Sequence, residues 1–469
     1  MSLISPASVR RQRISAVLEG TPGTTPTSPA FNILPIETGF AMQVKKQFSQ
    51  SKLIRADREP GAIVGGVNSV EGRIPMPLVR EAGMRMFMES ALGGTFTAVA
   101  LTVAVAWNSG AKTATRASGS FLTEPIANRP RIGDTLFPAG TSSNQSTLSS
   151  GIDAVVTTIP VTSVTPYNAA GGVVKIASTG EIIKYTSASG GNLNGCTRGW
   201  SGTTPASALS GVVALPGRTI TNISALVLTF ANDSGIQTEA SVSTTFTANT
   251  KVLIPGVVRK YYSIDQYFAD IDTYRLFPGV ETNTMQVRIP TSDQVSLEFG
   301  VNGLGYGTTQ APSSTYAATA GASPAAGSQA GSSLLVDGVA FDSCIESIDV
   351  NLNNNRAGRY GVGSAFPCFI GEGDRQMDVN FAYYLVNNAM QAKFQNETRI
   401  ALEVLTVAGI ASGYTTGDKY RFNWPRLVLK SADTGESNES VSETASASAE
   451  IDTTSGVNTS FFVHEIAAI

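Results

Sequence analysis

Apolar and polar residues alternate with a period of two along much of this 469-residue chain. Successive side chains of a β-strand point to opposite faces, so this pattern predicts strands with one buried and one exposed face. The 46 glycines favour frequent turns between such strands. The main predicted strands are residues 39–48, 62–75, 95–107, 154–161, 172–177, 181–185, 259–268, 283–290, 295–300, 347–353, 376–384, 398–406, 420–430, 439–451 and 459–466.

Helical spacing of apolar residues is confined to two short stretches, residues 78–92 and 385–395. Between the strands, we expect a turn at Phe277-Pro278-Gly279 and a long loop at 306–335, where periodicity is absent. The fold class predicted is mainly β with one or two short α-helices. The first helix should end at Gly93 and turn one set of side chains inward: Met84, Phe87, Met88, Ala91 and Leu92.

Few residues in the chain can support catalysis or bind metal. Cys196, Cys344 and Cys368 lack the C-x-x-C spacing of zinc sites, and an odd number does not suggest a disulfide framework. The single histidine, His464, lies close to the C-terminus, where we expect it to be exposed and incidental. We therefore expect no metal, no cofactor and no enzymatic activity.

Two further patterns have ordinary structural explanations. The glycines at 303, 305 and 307 are not followed by the helix that a dinucleotide site requires. Asp265, Asp270 and Asp272 lack the glycine bend and terminal glutamate of a calcium loop, so we expect exposed acids. The net charge of −3 argues against binding of polyanions by the chain as a whole.

No segment of the sequence predicts export or membrane insertion. Arg10, Arg11 and Arg13 are not followed by the apolar core of a signal peptide. The longest apolar run, residues 96–107, is too short to cross a bilayer as a helix. We expect a soluble product that assembles in the cytoplasm in which it is made.

A cluster of charge interrupts this weakly charged chain at residues 51–61. Arg55, Asp57, Arg58 and Glu59 fall within five positions, although only 15% of residues are charged. One interpretation is a solvated bend between two strands. The other is a contact with a neighbouring subunit, because arginine forks pair with carboxylates in fixed geometry.

The beginning of the chain resembles that of the tail tube proteins of long-tailed bacteriophages. The similarity rests on a TPGTTP-type loop at 21–26 and on an S-x-x-I-R-x-D-R-like segment at 51–58, which joins two strands before a helix. Arg55, Asp57 and Arg58 match that segment, whereas Glu59 and Pro60 depart from it. The resemblance implies inter-subunit contacts at Arg55, Asp57, Arg58 and Glu59, and a structural loop formed by Thr21, Pro22, Gly23, Thr24 and Pro26.

The middle of the chain resembles other parts of phage particles. Residues 113–142 and 218–230 resemble a small β-barrel elaboration of tube proteins, and 144–216 resembles small β domains of many virion proteins. The second resemblance rests on the motifs E-I-I-x-Y-T at 181–186 and L-x-G-x-T-R-G-x-x-G-T-T-x-A at 193–206. The glycines beside Arg198 supply backbone freedom for a tight loop, formed by Thr197, Arg198, Gly199, Gly202 and Thr203.

These resemblances imply a nested organisation. Residues 1–30 are an extended arm, and 31–112 and 250–469 form a tail tube domain of β-sandwich or barrel type. Residues 113–249 are an inserted β elaboration, which contains the 144–216 module on the tube exterior.

The implied function is structural. Hexameric rings would stack into a hollow virion tail tube through which the genome is delivered. The implied partners are further copies of the chain, the tape measure protein and genomic DNA in the lumen, tail terminator and distal tail proteins at the ends, and no membrane. Acidic side chains lining the bore would repel phosphate.

Two other functions stay open from the sequence. One is a virion adhesin that binds host-surface glycan through 144–216. The other is a glycan hydrolase, which would need two suitably spaced carboxylates in a cleft. A contractile tail is the alternative setting for a tube protein.

Overall fold

The computed structural model describes residues 11–52, 62–125, 127–311, 313–317, 323–329, 332–341, 343–410, 417–436, 440–453 and 458–468. The chain divides into two compact units. The first, called here the sheet unit, comprises Met1–Thr95, Leu253–Gly409 and Phe422–Ile451. The second, called the barrel unit, comprises Phe96–Val252, Ile410–Arg421 and Asp452–Ile469. The 97–108 strand, assigned from the sequence to the first part of the tube domain, belongs to the barrel unit.

The elements are numbered in chain order. The first part of the chain contains β1 (Gln12–Leu18), β2 (Ala30–Ile33), β3 (Ala41–Gln50), β4 (Ile63–Pro77), α1 (Ala82–Leu92), β5 (Thr97–Asn108), β6 (Thr113–Arg116), β7 (Thr135–Ala139), β8 (Ser146–Thr147), β9 (Ile159–Pro160), β10 (Gly172–Ile176), β11 (Ile182–Tyr185), β12 (Ser187–Ser189), β13 (Asn192–Asn194), β14 (Thr197–Trp200), β15 (Val213–Pro216), β16 (Arg218–Ile223), β17 (Val227–Phe230) and β18 (Glu239–Leu253).

The remainder contains β19 (Tyr262–Phe268), β20 (Thr273–Pro290), β21 (Ser296–Gly303), β22 (Thr315–Ala317), β23 (Ala325–Ala326), β24 (Ser333–Val336), β25 (Val339–Ala340), β26 (Ile345–Asn353), β27 (Ala357–Arg359), β28 (Phe369–Gly371), β29 (Gln376–Tyr384), α2 (Ala389–Gln395), β30 (Ile400–Ala408), β31 (Lys419–Glu436), β32 (Val441–Ala449) and β33 (Phe462–Ile466). The prediction of a mainly β chain with one or two short helices is confirmed.

The sheet unit is built on eight consecutive antiparallel neighbours, β3-β4-β21-β20-β26-β29-β32-β31. Apolar side chains line up across them on one face, where Ile74, Phe299, Met285, Leu352 and Met377 stand opposite one another in register. All five are buried. This register places a continuous apolar row on one side of the sheet, so the other side must carry the alternate, polar positions.

Helix α1 packs against the apolar side. Its Phe87 ring lies 5.7 Å from the ring of Phe299 and 5.5 Å from that of Tyr262. The inward set predicted from the sequence is confirmed, because Met84, Phe87, Met88, Ala91 and Leu92 are all buried. The helix ends where predicted, at Gly93 in the left-handed region with φ 64°.

Both helices are shorter than predicted. Residues 78–81 precede α1 outside the helix, because Leu78 donates its N–H to Val295 O and Glu81 keeps β-type backbone angles. The second helix begins at Ala389 rather than at 385, and Val386 is exposed. At the N-terminal end of each helix, backbone pairing with other parts of the fold sets the boundary, and the apolar spacing of the sequence does not.

Three loop and strand predictions are also wrong. Residues 154–158 form bends, because Asp153 Oδ1 accepts the N–H groups of Val155 and Val156. No turn separates 274–279 from 283–290, because Gly279 (φ 68°) lets β20 continue through an irregularity. The segment expected to be one long loop contains the short strands β22, β23 and β24.

The barrel unit contains a closed ring of six strands, β5-β6-β17-β16-β7-β18, in which β18 pairs again with β5. Trp107 fills its interior, with ring centroids 5.6 Å from Phe230 and 5.7 Å from Phe246. Closure leaves none of these six strands as a free edge within the ring. Four of its members, β6, β7, β16 and β17, lie in the segments 113–142 and 218–230 that resemble a barrel elaboration.

Residues 144–216 carry two small sheets, β14-β11-β10-β15-β8 and β12-β13-β9, around their own apolar cluster. Entry and exit are adjacent, because Ser146 in β8 stands opposite Ala214 in β15. A second cluster joins the Phe137 ring of β7 to Val173 and Trp200. Trp200 thus packs inside the barrel unit.

Candidate assembly surface

The hairpin formed by β3 and β4 extends beyond the rest of its sheet. Strand β21 pairs with β4 only from Val70 to Pro77, whereas β3 pairs with β4 as far as Gln50 and Ile63. In the part of the chain that the structure describes, β3 pairs with β4 alone. The outer half of the hairpin is therefore a two-stranded ribbon with an open edge, an arrangement that is marginally stable in water by itself.

Apolar side chains are exposed on this ribbon. Phe48 is 68% exposed, Ile63 69% and Val64 62%. The register places Phe48 and Ile63 on one face and Val64 on the other. Isolated apolar residues on a surface are common, but here three lie together on a narrow ribbon beside an open strand edge.

The hairpin leads into the charged segment selected from the sequence. Arg55, Asp57, Arg58 and Glu59 lie outside the described residues, so their role in contacts between subunits stays a prediction. The described flanks, Ser51 and Ala62, are joined by a backbone hydrogen bond of 2.9 Å from Ser51 N to Ala62 O. Backbone pairing of the hairpin therefore continues up to the residues that flank the charged segment.

The side of the eight-stranded sheet that turns away from α1 is named here the polar face. Its rows are set by the strand register: Gln286 stands opposite Glu298 and Asn351, and Asp378 stands opposite Asn351 and Ser448. The other main members are Gln43, Lys45, Glu71, Arg73, Arg288, Asp349, Asn380, Lys430 and Ser446.

Charges on the polar face form four ion pairs between strands. Lys45 Nζ lies 2.5 Å from Glu71 Oε2, and Arg73 Nη2 lies 2.5 Å from Glu298 Oε2. Arg288 Nε lies 3.5 Å from Asp349 Oδ1, and Lys430 Nζ lies 2.9 Å from Asp378 Oδ1. Every one of these side chains keeps about a third or more of its surface in solvent, so each pair contributes about 0–1 kcal/mol to stability.

The protonation behaviour of the polar face follows from these pairs. The hydrogen bond from Lys45 lowers the pKa of the Glu71 carboxyl, and the hydrogen bond to Glu298 raises the pKa of Arg73. Partial burial acts to raise the pKa of Asp378, but hydrogen bonds from Ser448 and Lys430 bring it below its usual value. These shifts favour the charged forms of Glu71, Arg73 and Asp378 at neutral pH.

The family-like loop at 21–26 is organised by the buried carboxylate of Glu19. Glu19 accepts hydrogen bonds from Gly23 N at 2.7 Å, Ser263 Oγ at 2.6 Å and Gly279 N at 2.8 Å. Thr24 N closes the turn on Thr21 O at 3.0 Å. Gly23 takes φ 77°, a conformation that suits glycine, between Pro22 and Thr24. Pro26 follows the turn, and Thr25 Oγ1 contacts Ser263 Oγ at 2.7 Å.

A second buried carboxylate, Glu181, organises the loop of the 144–216 module. Arg198 donates Nε to Glu181 Oε1 at 2.8 Å and Nη2 to Oε2 at 2.7 Å. Gly199 N and Ala206 N donate to the same carboxylate at 2.9 and 3.0 Å. Burial acts to raise the pKa of Glu181, but these hydrogen bonds hold it below its usual value.

The remaining predicted loop residues surround this pair. Thr197 begins β14 opposite Lys184, and Gly199 and Gly202 take φ 64° and 66°. Thr203 Oγ1 accepts from Ile182 N at 3.0 Å and donates to Trp200 O at 2.9 Å. The structure thus brings the five residues together. Sequence reasoning missed Glu181 as the common partner of Arg198 and Gly199, although Glu181 begins the E-I-I-x-Y-T motif.

Two residues expected to be exposed are buried. Asp265 is 1% exposed. Its Oδ2 accepts hydrogen bonds from Tyr316 Oη at 3.0 Å and from Arg13 Nη2 at 3.5 Å, and burial raises the pKa of the carboxyl.

His464 is 2% exposed, with Nε2 2.8 Å from Ala127 O. Burial, with the nearby charge of Arg421, lowers the pKa of His464 to about 3, so the ring is neutral. The periodicity of the sequence does not indicate that either side chain is buried.

No group of three or more His, Cys, Asp or Glu within the described ranges is arranged to hold a metal ion. Among the same residues, no helix is both long and apolar enough to cross a bilayer.

Comparison with known families identifies one match. A family model described as phage tail tube protein matches residues 10–452, which includes both the sheet unit's strands and the 144–216 module. A search of curated proteins finds no match.

Arg198→Ala should destabilise the folded chain by about 3–5 kcal/mol, because it leaves the charge of Glu181 buried without its partner. Chemical denaturation measures the loss. The double variant Glu181→Gln/Arg198→Met should cost less than the single variant, because no uncompensated charge remains. An equal or larger cost in the double variant contradicts this assignment.

Proposed function

The chain belongs to the phage tail tube protein family, and we propose that it forms hexameric rings that stack into the hollow tube of a non-contractile tail. The genome would pass through this tube into the host cell. The single observation that carries the proposal is the β3–β4 ribbon, with its open edge and exposed Phe48, Ile63 and Val64. A neighbouring subunit would pair with that edge and cover those side chains.

The polar face supplies the second element of the proposal. A ring of subunits can join its sheets into one continuous barrel with an inner and an outer side. The apolar side of each sheet is buried and packs in part against α1, so it is unsuited to a hydrated channel. We place the polar face toward the lumen, where genomic DNA and, before ejection, a tape measure protein would lie.

The rest of the assembly follows from this arrangement. Tail terminator and distal tail proteins would cap the two ends of the tube. The protein would be made in the host cytoplasm and end in the virion, and its role would be structural rather than catalytic. The 144–216 module would lie on the exterior, and the adjacency of Ser146 and Ala214 supports its insertion into a surface loop.

Phe48→Ser and Ile63→Ser should impair polymerisation while changing the unfolding free energy by about 0.5 kcal/mol or less, because both side chains are exposed in the subunit. Arg58→Ala, in the charged segment, should behave in the same way. Sedimentation measures polymer, and denaturation measures folding. Val155→Ser is the matched control, because Val155 is exposed to 78% in the module. Normal polymerisation of all three variants would refute the hairpin contact.

Replacing residues 144–216 with a short Gly/Ser linker should leave tubes intact. The linker can be short, because β8 and β15 are neighbours. Phe137→Thr should accompany the replacement, because the module covers that ring. Sedimentation and microscopy are the measurements. If the replaced chain folds but forms no tubes, the module is part of the assembly contact and not an insertion.

A further inference from the structure

We propose that the four cross-strand ion pairs are the feature that lets duplex DNA move along the polar face without binding it. The inference rests on the proposed function, since it concerns the face assigned to the lumen. A simple acidic lining would repel DNA because it lacks basic side chains. On the polar face, lysine and arginine side chains are present, but neighbouring carboxylates neutralise them.

Without neighbouring carboxylates, the lysine and arginine side chains on this face would bind DNA. Lysine and arginine side chains that contact phosphates displace counterions, and this term supplies most non-specific affinity for duplex DNA. Here each of the four bases, Lys45, Arg73, Arg288 and Lys430, lies 2.5–3.5 Å from a carboxylate. A phosphate approaching any of them would meet that carboxylate as well.

The partners belong to different strands, so the strand register fixes the pairing. Glu71 and Arg73 lie on β4, Glu298 on β21, and Arg288 on β20 beside Asp349 on β26. The register places Arg288 directly opposite Asp349.

The Asp378 carboxylate also accepts a hydrogen bond from Ser448 Oγ. Asp433, opposite Thr444 at the end of the sheet, adds a further acid to the face.

The uncharged positions add little that would bind DNA. They carry amides and hydroxyls, such as Gln286, Asn351, Asn380 and Ser446. Most aromatic side chains of these strands, Phe299, Phe381 and Tyr383, are buried on the other side, and Tyr384 lies at the end of β29. Bases of nucleic acid therefore find no row of rings on which to stack.

The test removes three carboxylates and keeps every lysine and arginine of the polar face. The variant Glu298→Gln/Asp349→Asn/Asp378→Asn frees Arg73, Arg288 and Lys430 and raises the charge of each subunit by three. Its matched control, Asp272→Asn/Asp293→Asn/Glu397→Gln, makes the same change of charge at exposed turn positions away from the face. Binding of a short DNA duplex is titrated with subunits and with assembled material of both variants and of the unmodified chain.

The first variant should bind the duplex at low salt, and the unmodified chain and the control should not. If three phosphates are contacted, affinity should fall about 40-fold between about 50 and about 200 mM salt. Absence of binding by folded variant subunits, or equal binding by the control, would overturn the inference. Binding by the variant subunits without any tube formation by the unmodified chain would support the pairing and refute the proposed function, so the two failures are distinguishable.

Discussion

Alternation of side chains across eight neighbouring strands is the constraint on which the sheet unit depends. Because the strands are in register, one face collects Ile74, Phe299, Met285, Leu352 and Met377, and α1 packs against this face at Phe299. The opposite face then has to be polar, and one edge strand, β3, stays open in the described chain. The open edge and the polar face therefore arise from the same pattern.

Buried carboxylates organise the loops that the sequence motifs mark. Glu19 holds the 21–26 turn to β19 and β20, and Glu181 holds the module loop through Arg198. A third, Glu281, is fully buried between Arg259 and Arg356. Removing the arginine partners of Glu181 or Glu281 would leave a buried, uncompensated charge, which costs more than the pair itself contributes.

The sequence predicts local periodicity well and tertiary effects poorly. The alternation in residues 376–384 predicts β29 with its observed bounds, and the inward face of α1 is correct. The bends after Asp153 and the irregular passage of β20 at Gly279 depend on hydrogen bonds that periodicity does not encode. The burial of Asp265 depends on Arg13 and Tyr316, which are distant in sequence. The charged residues 55–59 lie outside the described residues, so their role rests on the resemblance.

Negative-stain electron microscopy of the purified chain would show whether it assembles into rings and tubes. Six-fold rings or hollow tubes are expected, because the open edge of β3 needs a partner and the chain belongs to the phage tail tube protein family. Persistent monomers or small closed oligomers without a channel, at concentrations where the chain is folded, would contradict this expectation.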